Sequence, residues 1–231
     1  IWSDMMAEAG AMQRLTRDGA PIGAAIGITM YMSSNVRVIY QPADNSYLVA
    51  WEKYGCEAGC YRRILARHVA ADGTWLSDVL TIGADFDQSD KTLGAIAYDP
   101  LNQRALIAFS TNYQRNRVFG GWVIGNSGAF SPTVLSEDSV WGVRNIGFVF
   151  GGNPNKYFAV WDRESPGIES TPIKGQIVNA DGTVAVSATI IVSDSGQAYL
   201  PRVAYGSTPS EFFAAWVYNP TPNYAMRLTK L

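Results

Sequence analysis

Five times along the chain an apolar run closes on an aromatic: Ile1-Trp2, Tyr47-Leu48-Val49-Ala50-Trp51, Ala105-Leu106-Ile107-Ala108-Phe109, Tyr157-Phe158-Ala159-Val160-Trp161 and Phe212-Phe213-Ala214-Ala215-Trp216. The closing aromatics stand 49, 58, 52 and 55 residues apart. A second marker keeps the same step: the glycines of Asp18-Gly19, Asp72-Gly73, Ser127-Gly128 and Asp181-Gly182 are 54, 55 and 54 residues apart. A third is the aromatic that ends an earlier short run, at Tyr40, Tyr98, Phe150 and Tyr205. Three markers with one period define an internal repeat, and a repeat decides the architecture before any single motif does.

Each period reads as four strands. A short apolar segment such as Val36 to Tyr40 or Ile146 to Phe150 is followed by a Pro/Asx/Gly cluster, which turns the chain. The aromatic-ended run is the second strand, and its unbroken apolar character requires burial on both faces. No acidic residue interrupts these runs. A third strand is expected at Met12 to Thr16, Leu65 to Ala70, Gly121 to Gly125 and Gly175 to Asn179. The Asp-Gly pair then predicts a two-residue hairpin turn. A fourth strand follows near 26–29, 79–82, 134–136 and 190–192. The Met5–Arg17 stretch has helix-forming residues, but its phase matches three strand segments and it is read as a strand.

A sheet with both faces apolar has to stack on its neighbours, and radial stacking of four-stranded sheets is a β-propeller. The predicted fold is therefore an all-β propeller-type array of about five repeats of roughly 54 residues. The repeats span 1–32, 33–90, 91–142, 143–197 and 198–231 of a single domain. The first lacks its opening strand and the last its closing one. Met226-Arg227-Leu228-Thr229-Lys230 repeats the strand at Met12-Gln13-Arg14-Leu15-Thr16-Arg17, so the two ends duplicate rather than complement each other and the chain is expected to be a piece of a longer one.

Composition agrees and narrows the partners. The 231 residues carry 18 basic and 20 acidic side chains, a formal net charge of −2, which offers nothing to nucleic acid or an anionic membrane. Charged residues are 16%, with 22 Gly, 7 Trp and 12 Tyr, as suits a turn-rich β-protein. No apolar stretch reaches the ~20 residues of a helical membrane span. A single histidine, His68, on a predicted third strand, reads as a structural hydrogen-bonding residue.

The combination of an apolar strand closing on Tyr40, an Asx/Pro turn, then Tyr47-Leu48-Val49-Ala50-Trp51-Glu52 and Arg67-His68-Val69-Ala70-Ala71-Asp72-Gly73-Thr74 resembles the tandem propeller repeats of secreted and cell-surface bacterial and archaeal proteins. More loosely, it is similar to integrin-α/FG-GAP and TolB-like propellers. The resemblance covers nearly the whole chain and implies an extracellular or cell-surface location with a role in adhesion, ligand binding or assembly. The Asp-x-Asp-x-Asp-Gly loop of FG-GAP repeats does not occur, so calcium is not carried over, and no cofactor is expected.

Among individual residues, Cys56 and Cys60 flank a Gly-containing loop short enough for the ~5–6 Å Cα separation of a disulfide. A disulfide is the expectation, with two free thiols the alternative. Asp85, Asp87 and Asp90 share one inter-repeat connection and are either an oxygen-ligand cation site or, as preferred here, a solvated loop. Trp51, Phe109, Trp161 and Trp216 recur at one phase of buried runs and are read as packing between sheets rather than sugar platforms. The connections between second and third strands, and between repeats, vary in length and chemistry. They carry Tyr54, Tyr113, Arg115, Trp141, Arg163, Tyr199 and Tyr218, the aromatic and arginine types that anchor interfaces. These seven are the expected contacts for a protein or glycan partner on that face. The functional expectation is a non-catalytic extracellular binding or structural module, with a glycan-binding lectin and a carbohydrate-active propeller enzyme as alternatives.

Overall fold

The structure, a computed structural model, describes residues 2–4, 9–28, 33–55, 61–83, 89–111, 118–124, 133–136, 143–151, 155–163, 172–185, 190–193, 197–206, 211–219 and 225–230. Every regular element among them is a strand. The first sheet holds β1 (Trp2–Asp4), β2 (Ala9–Leu15) and β3 (Pro21–Gly27). The second holds β4 (Ser33–Gln41), β5 (Ser46–Gly55), β6 (Tyr61–Ala70) and β7 (Leu80–Ile82). The third holds β8 (Lys91–Asp99), β9 (Arg104–Thr111), β10 (Val118–Ile124) and β11 (Thr133–Ser136). The fourth holds β12 (Val143–Gly151), β13 (Lys156–Arg163), β14 (Lys174–Asn179) and β15 (Ile190–Ile191), and the fifth β16 (Gln197–Gly206), β17 (Glu211–Asn219) and β18 (Ala225–Lys230). In all five the strands lie in sequence order and pair antiparallel. The stretch 9–15 is a strand, as its phase requires, while 5–8 lies outside the described residues.

Alternation along the second strand builds the cores between sheets. On β5, Leu48 and Ala50 pack with Ala105, Ile107 and Phe109 of the third sheet. Val49 and Trp51 point the other way, towards Ile28 beside the first. On β9, Leu106 and Ala108 turn to Tyr157, Ala159 and Trp161 of the fourth sheet. Phe158 and Val160 of β13 then face Phe212, Ala214 and Trp216 of the fifth. Period-two alternation thus serves two neighbours at once, which is why these runs are apolar throughout. Trp51, Phe109 and Trp161 are at most 1% exposed and Trp216 7%, so the closing aromatics are inter-sheet packing. Each such burial is worth about 2–3 kcal/mol.

The turns repeat too. Gly19, Gly73 and Gly182 take φ of +86°, +97° and +88°. Their N–H groups bond back to Thr16 O, Ala70 O and Asn179 O at 2.9–3.0 Å, and the chain re-pairs at Ala20, Thr74 and Thr183. The connection is therefore a three-residue loop, a type I turn followed by a left-handed glycine, not the two-residue turn that Asp-Gly suggested. Asp72 and Asp181 explain the preference, since each accepts the N–H of the threonine two residues on, at 2.8 and 2.9 Å. The Thr183 hydroxyl and N–H on Asp181, and the Thr74 N–H and hydroxyl on Asp72, hold both carboxyls below the usual carboxylate range. Gly128 lies outside the described residues. On the same face, the first hairpins place Asn45, Gln103 and Asn155 at φ of +51° to +58°, a conformation that asparagine tolerates well.

Candidate functional site

The opening strands β4, β8, β12 and β16 are the innermost of the array, and each neighbours the next around the axis. All four depart from regular pairing near their starts, with register shifts at Ser34/Arg37, Leu93/Ala95, Arg144/Gly147 and Tyr199/Arg202. Asn35, Asn145 and Leu200 sit in these irregularities at φ of +50°, +46° and +53°. They occupy the same place, five residues before Tyr40, Phe150 and Tyr205, and the equivalent position of the third sheet, five before Tyr98, is Leu93.

Two buried carboxylates hold this geometry. Glu52 follows Trp51 on β5 and is 3% exposed; its Oε1 accepts Asn35 Nδ2 at 2.7 Å and the Leu93 N–H at 2.7 Å. Ser34 Oγ donates to its Oε2 at 3.3 Å, and Asn35 Nδ2 also donates to the Leu93 carbonyl. Asp162 follows Trp161 on β13 and is 2% exposed; its Oδ2 accepts Asn145 Nδ2 at 2.9 Å and the Leu200 N–H at 2.8 Å. One acid therefore ties the second sheet to the third, and the other ties the fourth to the fifth. Burial pushes the Asp162 carboxyl up, against the pull of those bonds and of Arg144 and Arg202.

These two acids follow the apolar runs rather than interrupting them, yet both are buried. The second strands do not stop at the aromatic but continue to Gly55 and Arg163. The recurrent charged or polar residue after the aromatic (Glu52, Ser110, Asp162) was the signal, and it looked like the start of a loop.

Between the third and fourth sheets the equivalent residue is Ser110, and there a cavity of about 540 Å³ opens on the axis. Asn35, Arg37, Thr92, Gly94, Ala95, Ser110, Asn145, Gly147 and Arg202 are among its lining residues. Of these, the Asn, Thr and Ser side chains can donate and accept hydrogen bonds and the two arginines can donate them, all from rigid strands, as recognition of a small polar ligand requires. The cavity lies at the starts of the first strands, the end that bears the variable connections.

Of the seven expected contact residues, Tyr54 is the penultimate residue of β5 and is 38% exposed, Arg163 closes β13, Tyr199 lies near the start of β16 and Tyr218 near the end of β17. All four are at the cavity's end of the array. Tyr218 is half-buried, with the Arg227 guanidinium 4.4 Å from its ring centroid. Tyr113, Arg115 and Trp141 lie outside the described residues, as do Cys56, Cys60, Asp85 and Asp87. Asp90 bonds the Arg62 N–H at 2.8 Å, and no group of three or more His, Cys, Asp or Glu gathers for a metal among the described residues. His68 is fully buried on β6, its N–H donating to Ser77 Oγ at 3.1 Å.

No family profile and no curated protein matches the sequence. Solved structures match the fold. A β-1,3-galactosidase of glycoside hydrolase family 43, solved with galactodeoxynojirimycin, superposes with a TM-score of 0.56 at 9% identity, covering 96% of this chain and 77% of its own. A thermostable family-43 glycoside hydrolase gives 0.52 at 10% identity, covering 87% and 72%. An N-acetylgalactosamine deacetylase from F. plautii, in complex with blood group B trisaccharide, gives 0.51 at 10%, covering 86% and 71%. At these identities the likeness shows the β-propeller fold. It corrects two expectations: the neighbours are neither integrin-α/FG-GAP nor TolB-like propellers, and they are carbohydrate-active enzymes, which overturns the reading of a non-catalytic adhesive or structural module. The repeat pattern misled because it encodes packing between sheets, which a binding module and an enzyme share.

Proposed function

We propose that this protein is a carbohydrate-active propeller that takes its saccharide into the axial cavity. The observation that carries the reading is the cavity itself: about 540 Å³, on the axis, lined by Asn35, Arg37, Thr92, Ser110, Asn145 and Arg202. That volume suits one or two sugar rings, whose hydroxyls need both donors and acceptors on fixed elements. The likeness to enzymes acting on saccharides supports the same reading. Tyr54, Arg163, Tyr199 and Tyr218, with Tyr113, Arg115 and Trp141, are proposed as outer contacts for the rest of a longer glycan. Glu52 and Asp162 act as ties between sheets, so any acid–base pair for glycosidic cleavage is assigned to other residues. An oxidising, extracellular setting with a Cys56–Cys60 disulfide is part of the proposal.

The test is incubation with a panel of plant and animal polysaccharides and oligosaccharides, following products by mass spectrometry and binding by calorimetry. At least one glycan is expected to bind and be processed. Ala95→Phe, which fills the cavity from its wall, should abolish both while the protein still melts cooperatively. Absence of binding and turnover across the panel, or full activity in Ala95→Phe, overturns the reading.

A further inference from the structure

Three residues before Tyr40, Tyr98, Phe150 and Tyr205, the innermost strands carry Arg37, Ala95, Gly147 and Arg202 in turn around the axis. All four line the cavity. At this one position the two middle sheets present nothing larger than a methyl group, and the flanking sheets each present a guanidinium. The small pair leaves the space; the large pair borders it.

Both arginines are exposed to solvent. Arg37 Nε donates to Gly94 O at 3.3 Å and its Nη1 to Val36 O at 3.4 Å. Arg202 Nη1 donates to Pro201 O at 2.8 Å. These bonds use one or two of the five N–H donors that each guanidinium offers. No carboxylate is among the described lining residues. The nearby acids Glu52 and Asp162 are 3% and 2% exposed and are not among the lining residues; Asn35 bonds Glu52 Oε1 and Asn145 bonds Asp162 Oδ2. The chain as a whole is slightly acidic, at −2, so two cations on one cavity are not the overflow of a basic protein.

A planar fork of N–H donors matches a carboxylate, whose two oxygens accept side by side. We propose that the cavity selects an acidic saccharide, a uronate whose carboxylate is held by Arg37 and Arg202 while Asn35, Asn145, Thr92 and Ser110 meet its hydroxyls. The inference rests on the cavity being the saccharide site and adds the class of sugar. The anion also explains why the described lining of a polar cavity holds two cations and no acid: its charge neutralises theirs when water leaves.

Calorimetry with oligogalacturonate, its methyl ester, the uncharged galactose oligomer of equal length and a sulfated galactose oligomer tests it. The uronate is expected to bind best, with affinity falling as salt screens the pair. Methyl esterification, Arg37→Met and Arg202→Met are each expected to weaken binding at least about tenfold, with circular dichroism and melting unchanged. Equal binding of charged and uncharged oligomers, untouched by either arginine substitution, overturns the acidic specificity and leaves the saccharide site standing. Preference for the sulfated oligomer also overturns the uronate assignment. If no oligomer binds, charged or uncharged, the uronate assignment falls, while the saccharide site stands or falls on the wider glycan panel.

Discussion

The Leu200 N–H donates to Asp162 Oδ2 at 2.8 Å, so a buried side chain of the fourth sheet holds the main chain of the fifth. Leu200 is at φ +53° and 48% exposed. A left-handed leucine costs about 1–2 kcal/mol, and a hydrogen bond to a carboxylate returns a similar amount. Glu52 and Leu93 form the same bond between the second and third sheets, at 2.7 Å. The irregular starts of the inner strands, which shape the cavity, are thereby set by residues outside its lining.

Replacing Glu52 should show what that tie contributes. Glu52→Ala strands the Leu93 N–H and the Asn35 amide in a buried place, and is expected to lower stability by about 3 kcal/mol in urea unfolding. Ser110→Ala, at the joint without a carboxylate, should cost less than about 1 kcal/mol.

Asp162 and Asp72 should respond oppositely to acid. Burial raises the Asp162 carboxyl above its ordinary value of 3.8, so its contribution is full below that value and is lost as pH rises through the folded-state value. The melting-temperature difference between the native protein and Asp162→Asn should therefore shift in the native protein's favour on acidification. Bonds from Thr74 lower the Asp72 carboxyl below 3.8, so its contribution is present above 3.8 and disappears as pH falls through the lowered value. The difference from Asp72→Asn should shrink in acid. Melting curves between pH 3 and pH 7 read both slopes.

Two turn glycines separate conformation from packing. A Cβ on Gly19 meets nothing within 4 Å, whereas one on Gly73 would stand 2.3 Å from Ile26 Cδ1 in the first sheet. Gly19→Ala pays only for positive φ, about 1 kcal/mol. Gly73→Ala adds a collision between sheets and should lower the melting temperature further; equal losses would mean the turn does not bear on the first sheet.

Trp161 is fully buried between the third and fourth sheets. Trp161→Ala is expected to cost about 3–5 kcal/mol, and Trp161→Phe much less. Saccharide affinity of the Phe variant should be unchanged, because the ring is packing and not a stacking platform.

The architecture was legible in the chain because everything that specifies a sheet here is local. Runs with alternate residues serving opposite neighbours gave the second strands, and Asp72 with Gly73, or Asp181 with Gly182, gave the turns, all within a few residues of sequence. The length of the Asp-Gly loop was misjudged because it depends on where Thr74 and Thr183 re-pair, which the dipeptide does not reveal. The site was hidden for the opposite reason. Arg37, Ala95, Gly147 and Arg202 are separated by more than fifty residues each, and they become one wall only when four innermost strands converge on an axis. Glu52 and Asp162 looked like loop acids until pairing carried their strands past the aromatic and buried them. Local patterning determined the sheets; convergence across sheets decided which side chains share a cavity, because a propeller brings equivalent positions together at its axis and the differences between repeats become its chemistry.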